Sequence, residues 1–399
     1  MVSLNRMIRP LTCSVILIVA LFFIATTVNA TTSTGPFAYI TNSGDNTVSV
    51  INVTTNTVTA TIPVGEGPKG VAVSPDGTKI YVGNAMSNTT SVIDAATNTV
   101  IATIPVGIDP FGVAVSPDGT KIYVADYGSD NLSVIDAASS TVIATIPVGT
   151  TPGKVTMSPD GTKTYVENPP GGVVVSPDGT KIYVVSLGIQ SYVINGPTQY
   201  TNGTVFVIDA ATNTVIANVT VGNVPYELAV NPAGTRIYVE NTIDGTVSVI
   251  DASTYKVIAT IQLDSEPRCI AVSPDGTRVY VTNGNNVSVI DAATNTVIAN
   301  LAVGSFPYGV SVSPDGTKIY VVNFYSNDVS VIDAATNTVI ANVTVGSKPM
   351  SYGQFIDQAL STPTSSSSAT PKPSPFVGVE GIGSIVLGAG LYMMVRKRN

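Results

Sequence analysis

The chain is built from one sentence repeated. A Ser-Pro-Asp-Gly turn followed by Lys-Ile-Tyr-Val, then by Ser-Val-Ile-Asp-Ala-Ala-Thr-Asn-Thr-Val-Ile-Ala, returns at a period of about 42 residues. The turn box stands at Ser74, Ser116, Ser158, Ser176, Ser273 and Ser313, with Asn231–Gly234 as a degenerate copy. The second box begins at Val92, Val134, Val207, Val249, Val289 and Val331, and Val50 opens a diverged first copy. Such a period restricts the fold to an array, a solenoid or a closed propeller before any single residue is weighed.

Each unit reads as four short strands. In the unit that starts at Gly70, Gly70–Val73 leads into the Ser74–Gly77 turn, where Pro75 fixes φ and Gly77 accepts a left-handed conformation. Lys79–Val82 and Ser91–Asp94 follow, and Thr99–Val106 runs out after a second turn opened by Asp94. The runs are dense in Val, Ile and Tyr and show no helical period, which excludes helical repeats of similar length. Four antiparallel strands per unit, apolar on both faces, describe a propeller blade packed between two neighbours.

The ends predict a closed ring. Residues 37–64 supply the second, third and fourth strands of a blade, and Ser347–Ile356 aligns with Ser305–Val312, the first strand of the preceding unit. A blade shared between the two ends leaves no open sheet edge and brings the count to seven. Between Ser158 and Ser176 the period collapses, which reads as a duplicated inner hairpin within the third blade, with an eight-bladed ring carrying a two-stranded blade as the alternative. The expected fold is therefore all-β, a seven-bladed propeller of four-stranded antiparallel blades.

Composition narrows the chemistry. The chain has no His and no Trp, its charged fraction is 11%, and its net charge is −8. Without imidazole there is no Ser/His/Asp triad and no histidine-rich metal site. Cys13 falls in the N-terminal apolar leader, so Cys269 has no partner for a disulfide and reads as a small packed residue. An acidic chain without a basic stripe does not suit nucleic acid. The recurring aspartates, Asp76, Asp94 and their equivalents, read as turn caps, with calcium binding the lesser alternative and no other cofactor expected.

The repeats resemble the YVTN β-propeller repeats of archaeal surface-layer and cell-surface proteins. Tyr280-Val281-Thr282-Asn283 carries the motif itself, Tyr123-Val124-Ala125-Asp126 is a variant, and the resemblance covers about residues 37 to 356. It implies a cell-envelope setting and is specific for fold rather than activity. The nitrous oxide reductase head domain and the lactonase-type enzymes are related propellers, but the lack of His keeps the former's metal chemistry from carrying over.

The termini predict a location. Arg6 and Arg9 precede an apolar run to Ile24, and Val28-Asn29-Ala30 offers a cleavage site, so residues 1–30 read as a signal peptide ahead of a propeller over 31–356. Residues 357–375 form a Ser/Thr/Pro-rich stalk, residues 376–395 a transmembrane or sorting-signal helix, and residues 396–399 a cytoplasmic basic end. The expected location is the cell surface, with the propeller outside and the C-terminus at the membrane.

The units differ from one another on one face only. After the Pro of each loop between blades stand Lys69, Phe111, Gly153, Tyr226, Arg268, Tyr308 and Met350, expected to ring the channel mouth. The loops between second and third strands add Tyr127, Phe324 and Tyr325, and a long insertion runs from Ser186 to Gly203. Lys69, Phe111, Tyr127, Tyr226, Arg268, Tyr308, Phe324 and Tyr325 are the candidate partner-binding residues, because exposed aromatics with Arg suit glycan or protein recognition. Sequons at Asn88, Asn131, Asn202 and Asn286 are the candidate glycosylation sites. The function expected is non-catalytic: an envelope or adhesion component binding other surface proteins or glycans. The alternative is an extracellular lactonase- or lyase-type enzyme using the carboxylates of Asp109, Asp126, Glu227, Asp244, Glu266 or Asp328 with a divalent cation.

Overall fold

The computed structural model describes residues 36–148, 156–157, 163–166, 170–187, 190–193 and 199–357. They fall in the first of two units, Met1–Ser361. The leader over 1–30, the stalk and the apolar segment over 376–395 lie outside the described residues.

Blade 2 shows how the repeated sequence makes a sheet. Its strands Pro68–Val73, Lys79–Asn84, Thr89–Asp94 and Thr99–Pro105 pair in chain order, each antiparallel to the next. The first turn is held by Asp76, whose Oδ1 accepts from Ser74 Oγ at 2.6 Å and from Thr78 N at 3.0 Å, while Gly77 takes φ 69°. The second is held by Asp94, whose Oδ1 accepts from Thr97 N at 2.8 Å, with Asn98 left-handed at φ 54°. These local bonds hold both carboxyls below the ordinary range. The aspartates are thus turn caps, with bonds local to each hairpin.

Both faces of the middle strands are buried because each blade is a slice between two others. The second-strand tyrosine occupies every interface: Tyr81 packs with Val113, Ile122 and Val124 of blade 3 (residues 110–147), and Tyr320 of blade 7 (residues 307–344) with Ile40 and Val50 of blade 1. Side chains also reach across. Lys79 Nζ donates to Ala137 O at 3.3 Å, Lys121 Nζ to Ala210 O at 3.0 Å and Arg236 Nη1 to Ala292 O at 2.7 Å. In each outer strand one residue is bulged out, since Val92 pairs with Ala102 and Ile93 with Val100, leaving Ile101 unpaired. The bulge blunts an edge that would otherwise invite pairing.

Blade 1 joins the two ends of the ring. Phe37–Asn42, Thr47–Asn52 and Thr57–Pro63 form three strands, and the fourth comes from residues 349–356, with Asn42 opposite Pro349 and Ala38 opposite Ile356. Tyr39 N donates to Phe355 O at 2.8 Å, and the Phe355 and Ile356 side chains are fully buried. Lys318 Nζ of blade 7 donates to Val53 O at 2.7 Å, and Tyr320 Oη to Asn56 Oδ1 at 3.0 Å. The ring is seven-bladed.

The collapsed period resolves differently from a duplicated hairpin within one blade. Pro170–Val175 and Lys181–Ser186 are the first two strands of blade 4, completed by Asn202–Asp209 and Thr214–Asn223. The preceding pair, Thr156–Met157 and Lys163–Val166, joins Gln190–Val193 and Gln199–Tyr200 in a separate four-stranded sheet. That sheet is an insertion and not an eighth blade, because blades 3 and 4 abut directly: a Cβ on Gly112 would lie 2.9 Å from Gly171 O. Half of the insertion precedes blade 4 and half interrupts it, a pairing that no local signal in either half announces.

The closing strand carries one departure that shapes the channel. In blade 2, Pro68 and Val73 stand opposite Asn84 and Ile80, five residues apart; in blade 1, Pro349 and Ile356 span seven across the equivalent Asn42 and Ala38. Two extra residues must therefore leave the ladder. They bulge into the channel at Tyr352, whose carbonyl accepts from Val71 N of blade 2 at 2.9 Å instead of pairing within blade 1. Gly353 makes the return at φ 91°, and a Cβ there would meet Val71 O and Val113 O at 2.9 and 3.0 Å.

Candidate functional site

The inner strands converge on the channel at two successive positions after the loop proline. The second is Gly70, Gly112, Gly172, Glu227, Cys269, Gly309 and Ser351 around the ring. Its glycines are needed because neighbouring backbones touch: a Cβ on Gly70 would sit 2.1 Å from Phe111 O, and one on Gly309 2.4 Å from Ser351 O. The first position carries Lys69, Phe111, Gly171, Tyr226, Arg268, Tyr308 and Met350. Gly171 replaces the expected Gly153, which lies outside the described residues, as a consequence of where blade 4 begins.

These side chains enclose a vestibule of about 460 Å³. Tyr352 forms its floor, buried, with its ring 4.4 Å from Phe111 and 5.9 Å from Tyr308 between centroids. Phe111 continues the aromatic wall to Tyr127 at 5.9 Å and Tyr226 at 6.2 Å. On the other side Tyr308 meets Phe306 at 5.2 Å and Phe324 at 5.3 Å, and Tyr325, 64% exposed, stands at the rim 5.0 Å from Phe306. Offset and edge-on contacts of this kind hold rings rigidly. Phe306 gets its place from a left-handed backbone, φ 60°, immediately before Pro307.

Two cations face this wall in unequal states. Lys69 Nζ is 2.9 Å from Asp109 Oδ1 and 5.2 Å from the Phe111 centroid, so its charge is matched. The Arg268 guanidinium stacks 3.8 Å from the Phe306 centroid and 6.0 Å from that of Tyr308. Its Nη1 is buried and meets no acceptor. Burial raises the Tyr226, Tyr308 and Tyr352 phenols above their ordinary range, with the Arg268 charge drawing Tyr308 partly back. The phenols are therefore hydroxyl donors at neutral pH.

Two carboxyls lie just beneath. Glu240 Oε1 accepts from Tyr226 N and Glu227 N, both at 2.8 Å, and its Oε2 accepts from Thr242 Oγ1 at 3.0 Å. Glu227 Oε2 accepts from Leu228 N at 3.2 Å. Burial pushes both up to about 8 despite these donors. Below Glu227 the channel continues as a separate cavity of about 340 Å³ lined mostly by Val and Ala, with Glu227 and Gln354 among its polar residues. Cys269, buried beside them, has its thiol raised by the same desolvation, as suits a packed residue.

The structure brings together Lys69, Phe111, Tyr127, Tyr226, Arg268 and Tyr308 around the vestibule, with Phe324 and Tyr325 at its rim. It adds Phe306, Thr242 and Tyr352, which sequence reasoning missed. The signal for Phe306 was an aromatic where other loops carry Gly67 or Asp109; for Tyr352 it was the two-residue excess in the closing strand. Asp126 is not at the mouth. It is fully buried at a strand end, where its Oδ2 accepts from Ser133 Oγ at 2.6 Å, in the place taken by Asn42, Asn84, Asn241, Asn283 and Asn323 elsewhere. Asp244 is bonded to Asn223 N and Nδ2, and Asp328 to Asn323 Nδ2. Among the described residues no three His, Cys, Asp or Glu gather as metal ligands would. Of the sequons, Asn88 and Asn202 are exposed and Asn131 and Asn286 half-buried; Asn88 Oδ1 already accepts from Asp109 N.

Known proteins share the fold. A family model described as YNCE-like beta-propeller matches residues 8–125 and 233–313. A solved chain of Kuenenia stuttgartiensis hydrazine synthase superposes with TM-score 0.62 at 25% identity, over 79% of this chain and 99% of that one. A functionally unknown protein from Desulfotomaculum acetoxidans gives 0.62 at 16% identity over the same shares, and dihydro-heme d1 dehydrogenase NirN 0.55 at 18%, over 79% and 74%. Among curated sequences, a PE-PGRS family protein of Mycobacterium tuberculosis is 68% identical over 37 residues, a stretch that covers 8% of its length. The chain is a β-propeller.

Proposed function

We propose that this chain is a cell-surface recognition module that binds a glycan or a partner protein at the vestibule, non-catalytically. The observation that supports it most is the contrast between the two faces. One is assembled from near-identical turns whose carboxylates are committed to their own backbones, while the other gathers rigid aromatic rings and an unmatched guanidinium around an open cavity. Aromatic and Arg side chains dominate contact energetics wherever they cluster. The leader and the C-terminal apolar segment of the sequence support an extracellular propeller anchored at the membrane, in keeping with its resemblance to archaeal surface-layer repeats.

The carboxylates do not favour the lactonase or lyase alternative. Asp109 is ion-paired with Lys69, Asp126 is buried against Ser133, and Glu227 and Glu240 are bound by backbone amides.

A glycan array probed with the full-length chain tests this reading. Selective binding should be lost in a Tyr226→Ala/Tyr325→Ala variant and kept in a Thr97→Ala/Thr212→Ala/Thr294→Ala variant of the opposite face. Array binding that survives the vestibule substitutions and fails with the turn substitutions would place recognition on the wrong face, and an absence of vestibule-dependent binding both on the array and to isolated envelope proteins would overturn it.

A further inference from the structure

We infer that the vestibule selects a carboxylate-bearing sugar, whose acid group docks on Arg268 and whose ring stacks on the aromatic wall. This rests on the reading of the vestibule as a recognition site and goes further by fixing the chemistry of what is recognised.

Charge carries the first part. Three ion pairs occur among the described residues, Lys69–Asp109, Lys181–Asp209 and Arg278–Asp291, and Arg268 is in none of them. Its guanidinium is half-buried against Phe306, and Nη1 lies away from solvent with no acceptor. A buried donor left unmade is costly, so a site that keeps one invites a ligand acceptor. Glu240, beneath the vestibule, already accepts from Tyr226 N, Glu227 N and Thr242 Oγ1, and no ion pair joins it to Arg268. Among the residues that line the vestibule, Arg268 is thus the cation with no ion-pair partner. A planar fork fits a carboxylate with two parallel donors, which an ammonium cannot do.

Shape carries the second part. The walls are rings: Tyr127, Tyr226 and Tyr308 offer electron-rich faces suited to the positive C–H edges of a pyranose, and the phenols of Tyr226 and Tyr127 are hydrogen-bonded to each other. A cavity of about 460 Å³ lies within the range of small-ligand sites, roughly 300–1,000 Å³. Its rim at Tyr325 is open, so the bound residue can belong to a longer chain.

The test is calorimetric titration of the purified full-length chain with trigalacturonate, its methyl ester and neutral galactotriose. The acid should bind at least tenfold more tightly than either neutral probe, and its affinity alone should fall as salt rises from 50 to 500 mM. Arg268→Gln, checked for an unchanged melt, should weaken acid binding about ten- to a hundredfold, as loss of a charge-assisted bond does, and leave the ester as it was. Equal binding of acid and ester would overturn the acid assignment while leaving recognition intact. So would full acid preference in Arg268→Gln. Binding of none of the three overturns it too, and array silence in addition removes the recognition reading beneath it.

Discussion

Asp126 gives the sharpest energetic test of the blade architecture. Five sibling blades place Asn at its position, and in four of them the side-chain amide donates to the facing serine, as Asn84 Nδ2 does to Ser91 Oγ at 2.9 Å, while in the fifth Ser288 Oγ donates to Asn283 Oδ1 at 3.3 Å. In blade 3 the hydroxyl reverses and Ser133 donates to the carboxylate instead. Burial pushes the Asp126 carboxyl from 3.8 up to about 7, partly opposed by the bonds from Ser133 and Gly107 N. The folded state thus holds a proton that the unfolded chain gives up near pH 4. Stability is full below that value and falls as pH rises through 7, by about 4 kcal/mol at about 1.4 kcal/mol per pH decade. Asp126→Asn restores the sibling geometry without charge, so at pH 8.5 the variant should be more stable by up to this amount. For a propeller of roughly 320 residues, unfolding entropy of about 2.1 cal/mol/K per residue converts that gain to about 6 °C. Differential scanning calorimetry of both chains at pH 4 and 8.5 checks it. A gain of the same size at both values, or none at pH 8.5, would refute the buried-carboxyl argument.

Two further outcomes follow from the ring and its core. A chain ending at Pro349 loses the buried Tyr352, Phe355 and Ile356, each worth about 1.5–3 kcal/mol on burial, and should melt at least 5 °C below a chain ending at Gln358; equal melting temperatures would show that the ring does not need its latch. Cys269 should resist a thiol reagent at pH 8 in the native protein and react fully in denaturant, and fast native labelling would contradict its packing.

The fold was legible because its information is local and repeated. Asp76, Gly77, Asp94 and Asn98 set two turns within each unit, so the strand order could be read seven times over from one pattern. The lining of the vestibule was legible where the units part company, at Lys69, Phe111, Tyr226, Arg268 and Tyr308, since departures from a repeat mark positions the scaffold does not dictate. What escaped was non-local. Gly171 takes the place given to Gly153 because Lys163–Val166 pairs with Gln190–Val193 across blade 4's first hairpin, and sequence spacing carries no record of that pairing. Tyr352 escaped because a two-residue excess looks like alignment slack until the partner strand shows that the ladder cannot hold it.

The closing strand is a latch that doubles as a stopper. Met350 and Tyr352 belong at once to the strand that completes the ring and to the vestibule's lining. A load on the chain beyond Asp357 first meets the bond from Asp357 N to Phe37 O and then that from Tyr39 N to Phe355 O. Peeling these draws out the strand that carries the vestibule floor, while blades 2 to 7 keep their own sheets. A ligand resting on Tyr352 is therefore coupled to the latch: it resists withdrawal, and withdrawal must release it by the same free energy. A tether pulled from its C-terminal side would make this propeller a grip that lets go under tension.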